Sequence, residues 1–217
     1  SILMINTLRL FYFDTTKGNG TALKILIEEL GLSEALRLSL ILKWRLFYYN
    51  PFKSINQHKH PTEQEKLSQR QMAPVVVLYE LLIDKGYSKK RIIELLQTLS
   101  NSVATAFLKF NVPIIKRKDY IDLPSEKKLD MLTKITQRFF NAEATLSLDE
   151  KDNFSFQVNH CHFASYSHAL GHPDLATLFC ASDKQFFDEY QDDIIFFRSQ
   201  TLATENKPCD FRFTWKQ

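Results

Sequence analysis

The stretch CDFRFTW, residues 209–215, decides the fold because apolar and polar side chains alternate along its whole length. Side chains at every second position of an extended chain point to the same side. The alternation separates two faces, one with Cys209, Phe211, Phe213 and Trp215 and the other with Asp210, Arg212 and Thr214. The pattern predicts a β-strand with one buried aromatic face and one solvated charged face.

Three further stretches have strand-like composition and supply partners for this strand. Residues 193–203 (DIIFFRSQTLA) precede it across a polar turn. Residues 142–148 (AEATLSL) and 154–161 (FSFQVNHC) flank a polar loop of hairpin length. Two helical segments, residues 162–171 and 173–190, lie between the two hairpins. The order β-β-α-α-β-β with short links predicts a four-stranded antiparallel sheet.

Residues 1–140 have the periodicity of helices rather than strands. Thr62 and Glu65 form the sequence signature of a capping box at one helix start. Pro74 is predicted to end that helix and to begin the next one. The other predicted helix starts are at Thr21, Ser33, Ser88 and Ser125. The predicted fold class is therefore α+β, with an N-terminal helical region packed on a C-terminal four-stranded antiparallel sheet.

We expect residues 1–140 and 141–217 to form one cooperative domain. The aromatic faces of the sheet need a cover, and the helices between the hairpins are too short to supply all of it. Residues 42–52 (LKWRLFYYNPF) are predicted to belong to a core helix and not to a membrane surface. The longest apolar run, residues 74–83, is far too short to span a bilayer.

The composition is typical of a globular protein with a large core. The 217 residues are 44% apolar and 24% charged, and the eighteen Phe and eight Tyr can close a core or line a pocket. The net charge of +3 is too small to indicate nucleic-acid binding. Residues 1–13 show no secretory signal and the cysteine count is odd, so we predict a reducing, cytoplasmic location. The predicted partner is a small molecule, and the oligomeric state stays open.

Reactive residue types are concentrated between residues 160 and 209, where all three cysteines and four of the six histidines lie. Successive cysteines are 19 and 29 residues apart. Structural zinc sites use short ligand pairs, and no such pair is present. We therefore predict no metal and no cofactor.

Cys161 permits two interpretations. Strand parity predicts that it shares the polar face of its strand with Asn159 and Gln157, whereas Cys209 belongs to an aromatic face. It is either a nucleophile whose thiolate is favoured by a neighbouring cation, or a small side chain that only packs. Cys209 and Cys180 are predicted to be buried packing residues.

Asp183 and two arginines are the remaining candidates for chemistry. Asp183 follows Cys180 by three residues, and it is either a helix cap or a general base. Arg198 and Arg212 lie in neighbouring predicted strands. Either arginine could bind a ligand carboxylate through two hydrogen bonds, or form a salt bridge, for instance with Asp210.

Taken together, the C-terminal motifs resemble the L-2-amino-thiazoline-4-carboxylate hydrolase family over residues 140–215. The resemblance rests on FQVNHCHFASYSHALGHPDLATLFCASDKQFF, then FRSQTLA, then CDFRF. Within these stretches the shared positions are Asn159 with Cys161, Gly171–Pro173–Asp174–Leu175, Cys180 with Asp183, Arg198–Thr201–Leu202, and Cys209 to Phe213. The family has two residues between the Asn and the Cys, whereas here only one separates them.

The resemblance implies a hydrolase that adds water to C2 of a 2-amino-thiazoline, acts on the carbon–nitrogen centre of the cyclic amidine and opens it to an N-carbamoyl-cysteine. It implies that Asp183 activates the water, with Asn159 on the ring and Cys161 as an alternative nucleophile. The implied substrate-binding residues are Arg212, Arg198, Thr201, Asp210, Cys209 and Cys180. The fold also resembles vinyl-reductase-type ligand-binding domains, so the alternative is a non-catalytic module that binds a small molecule or a partner.

Overall fold

A computed structural model describes residues 2–149, 152–205 and 207–216. Helices fill the first two-thirds of the chain, and a short π-helix (Asp14–Gly18) joins the first helix to the second. The helices are α1 (Ile2–Phe13), α2 (Asn19–Leu30), α3 (Leu32–Tyr48), α4 (Lys53–His58), α5 (Glu63–Asp84), α6 (Lys89–Asn111), α7 (Arg117–Tyr120) and α8 (Ser125–Thr136). The C-terminal elements are β1 (Ala142–Leu148), β2 (Phe154–Cys161), α9 (His162–Ala169), α10 (Asp174–Leu178), α11 (Ala181–Tyr190), β3 (Ile194–Phe197) and β4 (Cys209–Trp215).

The four strands form one antiparallel sheet in the order β1-β2-β4-β3. The α+β fold class and the four-stranded antiparallel sheet are confirmed, but three helices, not the predicted two, lie between the hairpins. β3 is shorter than the stretch 193–203, because the chain leaves the sheet after Phe197. The Asp210 carboxylate accepts hydrogen bonds from the backbone N–H groups of Ser199 and Gln200 at 2.9 Å, and these bonds hold the departing chain as a loop.

A β-bulge in β2 changes which side chains share a face. Ala144 pairs with Val158 while its neighbour Glu143 pairs with His160, so Asn159 is an extra residue in β2. An extra residue shifts the alternation by one position. Cys161 therefore shares the inner face with Val158, and the predicted placement on the polar face was wrong.

The inner face of the sheet carries a stack of aromatic rings. The Phe154 and Phe213 rings are stacked with centroids 4.7 Å apart, and the edge of the Phe187 ring contacts Phe213 at 4.8 Å. The cover comes partly from the N-terminal helices. The buried cluster on this face includes Leu108 and Val112 at the end of α6, Ile115, and Leu132 and Ile135 of α8.

Two of the predicted helix signals are confirmed and one is wrong. Thr62 and Glu65 make the reciprocal capping-box hydrogen bonds, and the Ser88 side chain caps α6. Pro74 does not end a helix, because α5 continues through it to Asp84. Residues 75–79 and Leu82, on the following turns, are buried, and this packing outweighs the local cost of proline in a helix.

The other predicted starts shift by a few residues. α2 continues from the π-helix with no side-chain cap, so Thr21 lies inside the helix and not at its start. α3 begins at Leu32, one residue before Ser33, and Ser125 is the first residue of α8, after Pro124.

The interpretation of residues 42–52 as part of a core helix is wrong for most of the stretch. Trp44 and Phe47 of α3 are 68% and 87% exposed, although Phe52 is buried. α3 packs through its other side, where Ala35 and Leu38 are fully buried. Across the described ranges, no helix is long and apolar enough to cross a membrane.

Candidate active site

A cavity of about 590 Å³ lies against the inner face of the sheet. Helices from both halves of the chain close it. The lining residues include Ile2, Leu3 and Asn6 of α1, Gln64 of α5, Leu108, Val112 and Ile115 near the end of α6, Leu132 and Ile135 of α8, Phe163 and Ala164 of α9, Asp183 and Phe187 of α11, and the inner face of β2 and β4. The aromatic alternation of β4 predicted the inner wall, but no local signal identified the helical residues opposite to it.

One end of the cavity brings together the carboxylate and the thiols that the sequence singled out. Asp183, Cys161, Cys180 and Cys209 all line it. The helical stretch 173–190 is interrupted at Phe179–Cys180, and α11 begins at Ala181. Asp183 therefore lies in the first turn of α11 and is not its N-cap, which is Cys180.

Arg198 holds the Asp183 carboxylate in place. Its Nη1 donates to Asp183 Oδ2 at 2.9 Å, and its Nη2 donates to the Cys180 carbonyl oxygen at 3.1 Å. The guanidinium also lies over the Phe211 ring, 5.4 Å from the centroid. Arg198 thus joins the end of β3 to the start of α11, and it orients the carboxylate towards the cavity.

Burial makes Asp183 an unusual carboxyl group. Desolvation raises its pKa to about 6, and the neighbouring Arg198 only partly opposes that rise. The carboxylate is thus ionised just above pH 6, but it holds a proton far better than an exposed aspartate. This is the range in which a carboxylate can accept a proton efficiently at neutral pH.

The three thiols are held in their protonated form. Burial raises the pKa of Cys161, although the backbone N–H groups of Ala164 and Phe163 favour its thiolate. Burial and then the charge of Asp183 raise the pKa of Cys180 to about 12. Burial also raises the pKa of Cys209, whose Sγ accepts a hydrogen bond from the Leu202 N–H at 3.4 Å. A protonated thiol is a poor nucleophile.

Arg212 and Asp210 lie on the opposite face of β4, away from the cavity. The Arg212 side chain is 62% exposed, and its Nη2 contacts Asp210 Oδ2 at 3.2 Å. Burial alone would raise the pKa of Asp210, but hydrogen bonds from Ser199 and Gln200 outweigh it and lower the pKa. Asp210 therefore shapes the loop that follows β3.

Asn159 and Thr201 do not line the cavity either. Asn159, the bulged residue, is exposed and donates from Nδ2 to Thr145 Oγ1 at 3.3 Å. Thr201 is buried, and its Oγ1 accepts a hydrogen bond from the backbone N–H of Thr204 at 3.2 Å. This turn brings Leu202, which shares a motif of the family resemblance with Arg198 and Thr201, into the cavity wall.

Asp183 is the one charged side chain among the lining residues in the part of the chain that the structure describes. Within the same described residues, no three His, Cys, Asp or Glu side chains form a group that could hold a metal ion. The arrangement can therefore position a ligand, exclude water from it and exchange a proton at one carboxylate.

The fold and the cavity define the class of protein, an α+β protein with a cavity between an antiparallel sheet and helices from both halves of the chain. Residues 67–213 match the L-2-amino-thiazoline-4-carboxylic acid hydrolase family, and the chain belongs to that family. The match begins in α5 and so includes helices beyond the resemblance over residues 140–215. No curated protein and no solved structure matches the chain.

Proposed function

We propose that the protein hydrolyses a cyclic amidine of the 2-amino-thiazoline type by attack of water at C2. The observation that carries the proposal is Asp183, a desolvated carboxylate with a pKa of about 6 that Arg198 orients at one end of a cavity. Membership of the hydrolase family supplies the reaction class.

Asp183 accepts a proton from water while the water oxygen forms a bond to C2 of the ring. Asp183 passes this proton to N3, so addition across the C2–N3 double bond gives a tetrahedral carbon that carries a hydroxyl group. Asp183 then accepts the hydroxyl proton as C2 becomes the carbonyl carbon of an N-carbamoyl-cysteine, and the C2–S bond breaks, so that the sulfur leaves with the electron pair and takes a proton. Asp183 can supply that proton, so one group acts as base and then as acid.

The same geometry favours water over Cys161 as the attacking group. The Cys161 thiol lies at the cavity wall, but burial keeps it protonated. We assign Cys161, Cys180 and Cys209 to the wall around the ring. Three free cysteines are also consistent with the reducing, cytoplasmic location expected from the sequence.

The assay is the release of a thiol from 2-amino-thiazoline-4-carboxylate, with the N-carbamoyl product identified by mass. Wild type and Cys161→Ser should both release it, because the nucleophile is water. In H₂¹⁸O the label should enter the carbamoyl carbonyl. A Cys161→Ser protein that is folded but inert, beside an active wild type, would transfer the role of nucleophile to Cys161.

A second candidate function is a binding module that does not turn its ligand over. The observation in its favour is the wall, which is mainly aliphatic and aromatic. Folded wild type that binds ligands in the cavity and releases no thiol from any 2-amino-thiazoline would support this candidate and exclude the hydrolase.

A further inference from the structure

The cavity is long compared with a single five-membered ring. Its wall includes both ends of β2, from Phe154 to Cys161. At about 3.3 Å per residue this strand is roughly 20 Å long. A volume of about 590 Å³ falls in the range of pockets that enclose drug-sized ligands. A bare 2-amino-thiazoline-4-carboxylate would leave most of this space unfilled.

The two ends of the cavity differ in polarity. Asp183 and the thiols lie at the end formed by Cys161 of β2 and Cys209 of β4. The other end is apolar, and Ile115 belongs to it, because its N–H donates to the side chain of Gln191 just beyond the far end of α11. Five other lining residues pack with Ile115 in one buried cluster: Phe154, Phe213, Val112, Leu132 and Ile135.

The charge of the wall also argues against a bound carboxylate. Among the described lining residues the single charge is negative, on Asp183. Arg198 is engaged by that carboxylate, and Arg212 lies on the outer face of β4. A ligand carboxylate would therefore lie beside an anion in a desolvated site, which is unfavourable. An amidine, neutral or protonated, suits the same position because it donates hydrogen bonds to a carboxylate.

We propose that the preferred substrate is an amphiphilic cyclic amidine, whose ring lies at Asp183 and whose alkyl or aryl substituent fills the apolar end. This inference rests on the proposed hydrolase function for its reaction, but the ligand class follows from the cavity alone. The substituent takes the place that a free carboxylate has in 2-amino-thiazoline-4-carboxylate.

The first test compares ligands on the wild-type protein. N-phenyl-1-naphthylamine, a neutral fluorescent probe, should bind at one site and be displaced by 4-hexyl-2-amino-thiazoline. Displacement should strengthen by about fourfold for each methylene group along a series from 4-methyl to 4-hexyl. The 4-carboxylate should displace the probe at least a hundredfold more weakly than the 4-hexyl compound.

The second test uses two adjacent isoleucines. Ile115 lines the cavity and is 7% exposed, whereas Ile114 is 62% exposed and is not part of the wall. Ile115→Phe should shorten the cavity. Displacement of the probe by the hexyl compound should weaken at least tenfold, whereas displacement by the methyl compound should change less than threefold. Ile114→Phe, the control, should change neither. If Ile115→Phe does not fold, the ligand series on wild type decides alone.

The outcomes separate the inference from the proposed function. Chain-length-dependent binding without thiol release from any ring would refute the hydrolase and leave the ligand class standing. Thiol release from the 4-carboxylate with a kcat/KM equal to that of the 4-hexyl compound, and no dependence on chain length, would overturn the amphiphilic substrate and leave the hydrolase standing.

Discussion

The two faces of the sheet carry the same kind of ion pair in different surroundings. On the inner side Arg198 binds Asp183, and the two side chains are only 15% and 23% exposed. On the outer side Arg212 contacts Asp210; the arginine is 62% exposed, and the aspartate is 18% exposed. Burial raises the pKa of Asp183 to about 6, whereas hydrogen bonds lower the pKa of Asp210.

The difference shows that residue type alone does not define a catalytic candidate. Both carboxylates are partly buried, but Asp210 accepts hydrogen bonds from the backbone N–H groups of Ser199 and Gln200 and from the Ser199 hydroxyl, so its ionised form is stable and has little tendency to take a proton. Asp183 accepts a hydrogen bond from Arg198, which only partly offsets its burial, so its protonated and ionised forms are closer in free energy. The inner pair suits proton transfer, and the outer pair suits structure.

The inner face also needs a cover that the outer face does not. A fragment of residues 141–217 should fail to fold, because Leu108, Val112, Ile115 and Leu132 would no longer pack on Phe154 and its neighbours. Circular dichroism should show no cooperative thermal transition. A fragment that melts sharply at the temperature of the full chain would mean that the two regions are independent domains.

Removing the inner carboxylate should have the largest effect on turnover. Asp183→Asn should lower kcat by roughly a hundredfold or more, since a general base contributes about that much, while KM changes little. Asp210→Asn, the matched outer variant, should retain kcat within about threefold. Steady-state thiol release by both folded variants measures this. Equal kcat values for Asp183→Asn and wild type would exclude Asp183 as the base.

Replacing each arginine should show that the inner ion pair contributes more to the free energy of unfolding than the outer one. Arg198→Leu leaves a desolvated carboxylate without its partner and should lower the free energy of unfolding by about 3 kcal/mol. Arg212→Leu breaks an exposed contact and should cost less than about 1 kcal/mol. Urea denaturation at pH 7 gives both values. Losses of the same size would show that the inner pair is no more important to folding than the outer one.

The pH dependence should reflect the inner carboxylate. Because the proposed mechanism requires ionised Asp183, kcat/KM should fall about tenfold per pH unit below a pKa of about 6. The raised pKa of Asp183 makes stability depend on pH in the opposite direction to kcat/KM. The folded state holds the proton more tightly, so this contribution to stability is present below the ordinary pKa of 3.8 and is lost as pH rises through about 6.

Urea denaturation between about pH 4 and pH 7 measures this effect. The free energy of unfolding of wild type should fall with rising pH relative to that of Asp183→Asn, which has no such proton to lose. The fall of kcat/KM below about pH 6 should remain in Asp210→Asn. A pH profile of kcat/KM that is flat from pH 7 to pH 5 would contradict the assignment of Asp183.

The smallest expected effect is at the outer arginine. Arg212→Lys should leave KM within about twofold of wild type, because Arg212 does not line the cavity. The family resemblance implies instead that Arg212 binds the substrate carboxylate. In that case KM should rise strongly, since lysine lacks the guanidinium fork. Measuring KM for 2-amino-thiazoline-4-carboxylate shows whether Arg212 binds the substrate carboxylate or lies outside the site.

Local patterns in the sequence were sufficient to predict the sheet. Alternation in residues 209–215, together with hairpin-length loops and two predicted intervening helices, predicted four antiparallel strands in one sheet, whereas the order of the strands within that sheet came from the structure. The Thr62 capping box and the Ser88 cap were also predictable, because those interactions span only a few residues. Pro74 was not, since its tolerance in α5 depends on distant packing partners.

The sequence by itself determined the strands, their alternating faces and the family. It also identified the cysteines, Asp183 and the two arginines as candidates for chemistry. The tertiary structure alone decided which of them meet. One extra residue at Asn159 turns Cys161 to the inner face, and the loop after Phe197 places Arg198 against Asp183. Strand patterns repeat every two residues, but a bulge, a loop path and the desolvation of a carboxylate depend on contacts between residues far apart in the chain.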